Sequence, residues 1–158
     1  MSKMIQGPAI VLAIQQASNA LKTQSDYLTK LDQDMGDGDT GITLNKVANA
    51  LLAYVDEKLI GDDIGKFLMG AGMATNKAAP STLGTLTATA LMRAGKPVKG
   101  KSELSVDDLV AMFDAASTGI QERGKAKLGD KTVVDAIHPA NEAFAAAVAV
   151  GDSLGDAW

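Results

Sequence analysis

Three features of the 158-residue chain predict an all-α protein. Hydrophobic residues make up 46% of the chain but aromatics only 4%, so any core is built mainly from small aliphatic side chains. Apolar residues recur at three- and four-residue spacing in segment after segment, the period of a helix that buries one face. No stretch shows the strict alternation of a half-buried strand, and no fixed-period repeat or low-complexity linker is present. The expected architecture is an antiparallel bundle or partial barrel of about six amphipathic helices, in one domain covering residues 1–158.

The elements follow in order. Pro8 sits where a first helical turn tolerates it, and Ile10, Val11, Ile14, Ala17 and Leu21 share the buried face of the first helix. A turn rich in Asp and Gly follows. A second helix runs from Ile42 to Tyr54, with Leu44, Val47, Leu51 and Val55 on one side. Asp62 or Asp63 caps a third, which carries Ile64, Phe67, Leu68 and Ala71. Pro80-Ser81 breaks the pattern before a fourth helix, Leu83 to Ala94, whose Gly84, Ala88 and Ala90 allow close packing. Ser105 with Asp108 has capping-box form and opens a fifth helix reaching Gly124. After a basic loop, the Thr132–Asp135 segment caps a last, Ala-rich helix ending near Val150, which Pro139 should start or kink. The tail from Gly151 to Trp158 reads as loosely structured.

Composition narrows the function classes. No cysteine is present, which removes disulfides and thiolate metal sites and fits the cytoplasm. The N-terminus lacks a signal-peptide apolar stretch, and no run is long enough to span a membrane. A net charge of −4 argues against nucleic acid as a partner and leaves an anionic ligand in need of cations or a local positive patch.

The chemistry concentrates in Leu31-Asp32-Gln33-Asp34-Met35-Gly36-Asp37-Gly38-Asp39-Thr40-Gly41. Carboxylates around a glycine turn supply the hard oxygen ligands that suit Mg²⁺ or Ca²⁺. An isolated Asp-Gly-Asp is more often only a surface turn, but gathered carboxylates repel one another unless a cation joins them. The EF-hand pattern fails: counting from Asp37, the sixth position is Ile42 and the twelfth Ala48. Mg²⁺ bridging a substrate phosphate fits better, since it takes few carboxylates and completes its shell with phosphate oxygens.

Two other features are set aside. Gly95-Lys96-Pro97-Val98-Lys99-Gly100-Lys101-Ser102 matches G-x-x-x-x-G-K-[ST], but a phosphate loop needs a strand before it and a helix at its end. Here a helix precedes it, and the next helix waits until Ser105, so it reads as a solvated basic loop. His138, the single histidine, has no nucleophile or carboxylate at a telling spacing and reads as a helix-face residue.

The Leu31-Asp32 and Gly36-Asp37-Gly38-Asp39-Thr40-Gly41 stretches resemble the metal-binding turn of the nucleotide-binding L subunit of dihydroxyacetone kinase. Arg123-Gly124-Lys125-Ala126 with Gly129-Asp130-Lys131-Thr132-Val133-Val134-Asp135 resembles that family's second signature. The similarity runs from residue 8 to 150. It implies a barrel of antiparallel helices that binds ADP or ATP through two Mg²⁺ ions. The implied metal ligands are Asp32, Asp37 and Asp39, with Asp34 left out and no catalytic residue beyond these. The implied nucleotide contacts are Thr40, Gly41, Thr43, Thr82, Leu83, Gly84, Gly124 and Thr132. Asn76-Lys77-Ala78-Ala79-Pro80 replaces the family's glycine-rich loop. Thr40 stands where members fed by a phosphotransferase relay have histidine. Full-length members run on past the point matching Trp158, through a segment that closes over the nucleotide. The implied activity is phosphoryl transfer to a short ketose held by a K-type partner subunit, the chain alone being inactive. A phosphotransferase-system donor subunit and a second copy of the chain are further candidate partners. The alternatives are the nucleotide domain of a fatty-acid-kinase-like protein and a non-catalytic nucleotide- or metal-binding module.

Overall fold

The computed structural model describes residues 4–157. The architecture is all-α, with eight helices and one two-stranded ribbon among the described residues. After β1 (Ile5–Gln6) come α1 (Gly7–Thr23), α2 (Ser25–Gln33), α3 (Thr40–Glu57), α4 (Ile64–Ala78) and α5 (Thr82–Ala94). Then follow β2 (Glu103–Leu104), α6 (Val106–Gly124), α7 (Val134–Ala149) and α8 (Leu154–Ala157). No described helix is long and apolar enough to cross a membrane.

Several expectations are corrected. The count of six becomes eight, because α2 precedes the Asp-rich turn and the tail forms α8. The ribbon was not anticipated: β1 pairs antiparallel with β2, Ile5 opposite Leu104 and Gln6 opposite Glu103, and the Gln6 amide donates to Glu103 Oε2 at 2.7 Å. On α1, Ile10, Val11, Ile14 and Leu21 are partly buried as expected, but Ser18 rather than Ala17 completes the inward face. Helix α7 starts at Val134 and runs through Pro139 instead of starting there. Proline in a helix forfeits one backbone bond, here that from residue 139 to the Asp135 carbonyl, without ending the helix.

Two of the three capping expectations hold, while the cap position of α7 is Val133 and makes no side-chain cap bond. Asp63 caps α4 by accepting the Lys66 N–H at 2.8 Å, and Ser105 and Asp108 form the reciprocal box at the start of α6. Thr132 Oγ1 accepts the Val134 N–H at 3.2 Å at the entry to α7.

Consecutive helices from α3 to α7 run antiparallel. The Tyr54 hydroxyl near the end of α3 donates to the Phe67 carbonyl near the start of α4 at 3.1 Å. Gly65 of α4 faces Gly95 and Lys99 beyond the end of α5, while Gly72 faces Ala88 and Met92. Arg93 at the end of α5 reaches Glu122 of α6, and Gly124 lies against Leu86. Phe113 and Phe144 meet edge to face at 5.5 Å, joining α6 to α7. Helix α1 lies antiparallel to α3, with Gly7 against Ile60.

Two apolar clusters hold these helices. Ile64, Leu68, Val98, Leu104 and Met112 close one end, where the ribbon sits. Val47, Leu51, Ala71 and Ala79 join α3 to α4 and the α4–α5 turn. An apolar cavity of about 640 Å³ remains between α4, α5, α6 and α7. Helix α1 packs chiefly on α3, and α7 chiefly on α6, at the two ends of the run of helices.

Candidate functional site

The antiparallel order sends the starts of α3, α5 and α7 and the ends of α4 and α6 to the same end of the barrel. The Asp-rich turn, the α4–α5 turn and the 125–133 loop therefore gather there, although they lie far apart in sequence.

The turn between α2 and α3 is built around Asp32. Its carboxylate, on the last turn of α2, accepts the N–H of Thr40 at 3.1 Å, so it caps α3 from a neighbouring helix while Asp39 at the cap position makes no side-chain cap bond. The Thr40 N–H is the largest influence holding the Asp32 carboxyl below the usual carboxylate range. The Thr40 hydroxyl and the N–H groups of Asp39 and Gly38 add to it, against an opposing desolvation. Asp32 is accordingly ionised at neutral pH. The chain then doubles back through Gly38 at φ +76°, where a Cβ would sit 2.6 Å from Gln33 Cγ. Asp37 Oδ1 faces the Asp39 N–H at 3.4 Å. The result brings one oxygen each of Asp32, Asp37 and Asp39 within 4.8 Å of one another. Asp37 and Asp39 are exposed and Asp32 half-buried. Three carboxylates so close, with the helix N–H groups taking up only part of Asp32, form a donor set that fits a hard divalent cation.

Gly41 locks this turn to its support. A Cβ there would meet the Ser25 carbonyl oxygen, Thr29 Oγ1 and, at 2.8 Å, Thr29 N, so only glycine lets α3 start against α2. Ser25 Oγ donates to the Gly41 carbonyl at 3.0 Å across the same contact. Thr43 is 6% exposed and faces into the barrel.

Beside the turn end lies an open cleft of about 780 Å³. Helix α4 contributes Asn76; the turn after it, Pro80 and Ser81. Helix α5 contributes Thr82, Thr85 and Leu86, and α6 contributes Arg123 and Gly124. Thr82 and Gly124 are thus brought to the cleft, while Leu83 and Gly84 sit in the same first turn of α5 without lining it. Ser81 caps that turn by accepting the Gly84 N–H at 3.1 Å. Asn76, Thr85 and Arg123 were not expected as contacts. Arg123 belongs to the second signature and Asn76 opens the segment that stands in for the family's glycine-rich loop, which were the available signals; Thr85 gave none.

Thr132 lies in the loop from 125 to 133, which Asp135 organises. That carboxylate accepts the N–H groups of Gly129 at 2.6 Å and Thr132 at 2.8 Å, and these bonds, Gly129's foremost, hold it below the usual range. Lys125 and Lys131 take left-handed backbone angles, φ 55° and 59°, a strained conformation for non-glycine residues. The two features set aside on sequence lie elsewhere, and one reading is corrected: Glu142, four residues after His138, brings a carboxylate to 3.6 Å from its Nε2. Lys101, in the basic loop at the opposite end of the barrel, pairs with Asp108 at 2.6 Å. His138 is half-buried on α7 between Gln121 and Glu142.

Comparison with known proteins gives the following. A family model described as the DAK2 domain matches residues 34–158. The ADP-binding subunit of PEP-dependent dihydroxyacetone kinase 2 from Listeria innocua is 37% identical over 144 residues, covering 90% of this chain and 67% of the relative. The ADP-binding subunit of the Escherichia coli PEP-dependent dihydroxyacetone kinase is 33% identical over 139 residues, covering 85% of this chain and 64% of the relative. The crystal structure of the dihydroxyacetone kinase of C. freundii superposes with a TM-score of 0.75 at 19% identity, over 90% of this chain and 26% of that one. The last is a likeness of fold. The chain spans about two thirds of the length of these bacterial subunits.

Proposed function

The chain belongs to the DAK2 domain family, and from that membership we propose that it is the nucleotide-binding subunit of a dihydroxyacetone-type kinase. One observation supports this most: the carboxylates of Asp32, Asp37 and Asp39 converge at the end of the barrel where the cleft opens. Mg²⁺, two ions in this reading, is held by those three residues. Bound there, divalent cations neutralise phosphate charge during phosphoryl transfer, a reaction that needs positioning and electrostatics more than covalent help from the protein.

The chain's own groups do the positioning. Thr40, Gly41 and Thr43 start α3 beside the phosphates. Thr82, Leu83 and Gly84 start α5, Gly124 lines the cleft from α6, and Thr132 comes from the loop that follows. ADP or ATP lies across these. No side chain beyond the metal ligands takes part in the chemistry, so the ketose is presented by a K-type partner subunit and the chain alone does not turn over. The phosphoryl donor is ATP or a phosphohistidine subunit of a phosphotransferase relay, and the subunits act in the cytoplasm. A second copy of the chain is a further candidate partner, which sedimentation at micromolar concentration reads directly.

The test is reconstitution. The chain, a K-type subunit and dihydroxyacetone are mixed with ATP or with the phosphorylated relay protein, and ketose phosphate is measured. Turnover that requires both subunits supports the reading. Mg-nucleotide binding without turnover from either donor points to the non-catalytic module instead.

A further inference from the structure

The chain has more acidic than basic residues, 19 against 15, yet no carboxylate lines the 780 Å³ cleft. Among the described residues its only charged lining residue is Arg123. The chain has two arginines, and their circumstances differ. Arg93 is held by Glu122 at 2.5 Å. Arg123 makes no ion pair among the described residues. Its sequence neighbour cannot serve it: successive residues on a helix point about 100° apart, and Glu122 is turned toward α5. Arg123 is exposed and lines the cleft together with the hydroxyl-bearing Ser81, Thr82 and Thr85 of the α5 start.

We infer that Arg123 binds a diphosphate oxygen of the nucleotide, across the cleft from the α5 hydroxyls. This rests on the reading of the site as a nucleotide site and adds a residue to it. A guanidinium offers paired N–H donors in a rigid fork that matches two oxyanion oxygens at once, and it is more weakly hydrated than an ammonium. It also supplies the local positive charge that an acidic chain needs to accept a polyanion. A purely structural role, in which Arg123 complements the C-terminal dipole of α6, would support helix stability without touching ligand affinity.

Calorimetry on the full chain separates these. Mg-ADP, adenosine and inorganic diphosphate are titrated into wild type, Arg123→Ala, Arg123→Lys and Lys125→Ala. Arg123→Ala should weaken Mg-ADP by about ten- to a hundredfold, the loss expected for a hydrogen bond to a charged group. Arg123→Lys should recover only part of this, inorganic diphosphate should weaken in parallel, and adenosine should be unaffected. Lys125→Ala, which removes a nearby charge outside the cleft, should stay within about threefold for Mg-ADP. Wild-type affinity for Mg-ADP in Arg123→Ala overturns the inference and leaves the nucleotide site standing. An equal loss of adenosine affinity overturns it too, placing the guanidinium on the base. An equal loss in Lys125→Ala reduces the effect to the general field and overturns it as well. Failure of the wild type to bind Mg-ADP overturns the nucleotide reading itself.

Discussion

Replacing Gly41 with alanine should damage both the fold and the site, and the structure sets the size of the effect. The added Cβ would lie 2.8 Å from Thr29 N and closer still to Thr29 Oγ1 and the Ser25 carbonyl oxygen. Two of these three atoms are backbone, so no rotamer change relieves the clash and α2 must move off α3. Overpacking of this kind costs up to about 3 kcal/mol, against at most about 1 kcal/mol returned by alanine's better helix propensity. The net loss is about 2 kcal/mol, a fall of roughly 4–8 °C in melting temperature for a chain of this size. The displacement also pulls Asp32 from the Thr40 N–H, so Mg-ADP affinity should fall with it. Thermal denaturation of the ligand-free protein, followed by titration at a temperature where both forms are folded, reads the two effects. If Gly41 is glycine only to let a ligand approach, the ligand-free melting temperature will match wild type within ~1 °C, and the packing argument is refuted.

Other outcomes follow from the same geometry. Lys101→Ala should leave Mg-nucleotide binding within about threefold, under ~0.7 kcal/mol, because its loop lies at the far end of the barrel; a hundredfold loss would restore the phosphate-loop reading. The Asp135 carboxyl is lowered in the folded protein by the Gly129 and Thr132 N–H groups, so its stabilisation is present above the ordinary value of 3.8 and is lost as pH falls below it toward the depressed value. Urea denaturation across the acid range should show that loss in wild type and a flatter acid limb in Asp135→Asn; identical profiles would remove Asp135 as the organiser of the loop.

What could be read from sequence depended on how far apart the interacting residues lie. The three site aspartates fall within eight positions, so their chemistry was visible as a local pattern, as was the Ser105–Asp108 box. The long helices announced themselves through buried stripes such as Val47, Leu51 and Val55. Helix α2 turns the largely polar face of Ser25, Leu28, Thr29 and Asp32 inward, too few apolar residues to read as a core stripe, and only the bend at Gln24 parts it from α1. The β1–β2 ribbon pairs residues almost a hundred positions apart with two residues on each side, too little for any alternation. Thr85 reaches the cleft because antiparallel packing carries the start of α5 to the turn end, and nothing in its own neighbourhood signals it. Gly84 and Gly41 carry a packing demand that the sequence does not show: a Cβ on Gly84 would sit 2.8 Å from Ala79 Cβ, and one on Gly41 2.8 Å from Thr29 N.

The most direct measurement is calorimetric titration of ADP into the full chain with and without Mg²⁺, repeated with Asp37→Asn. Asp37 is exposed and takes no part in capping α3, so its loss should spare the fold while removing one of the three converging carboxylates. ADP should bind tightly only with Mg²⁺ and wild-type Asp37, and at least about tenfold more weakly in the other cases, a difference of about 1.4 kcal/mol. Equal ADP affinity with Mg²⁺, without it and in the variant would show that the Asp32, Asp37 and Asp39 cluster does not serve the nucleotide.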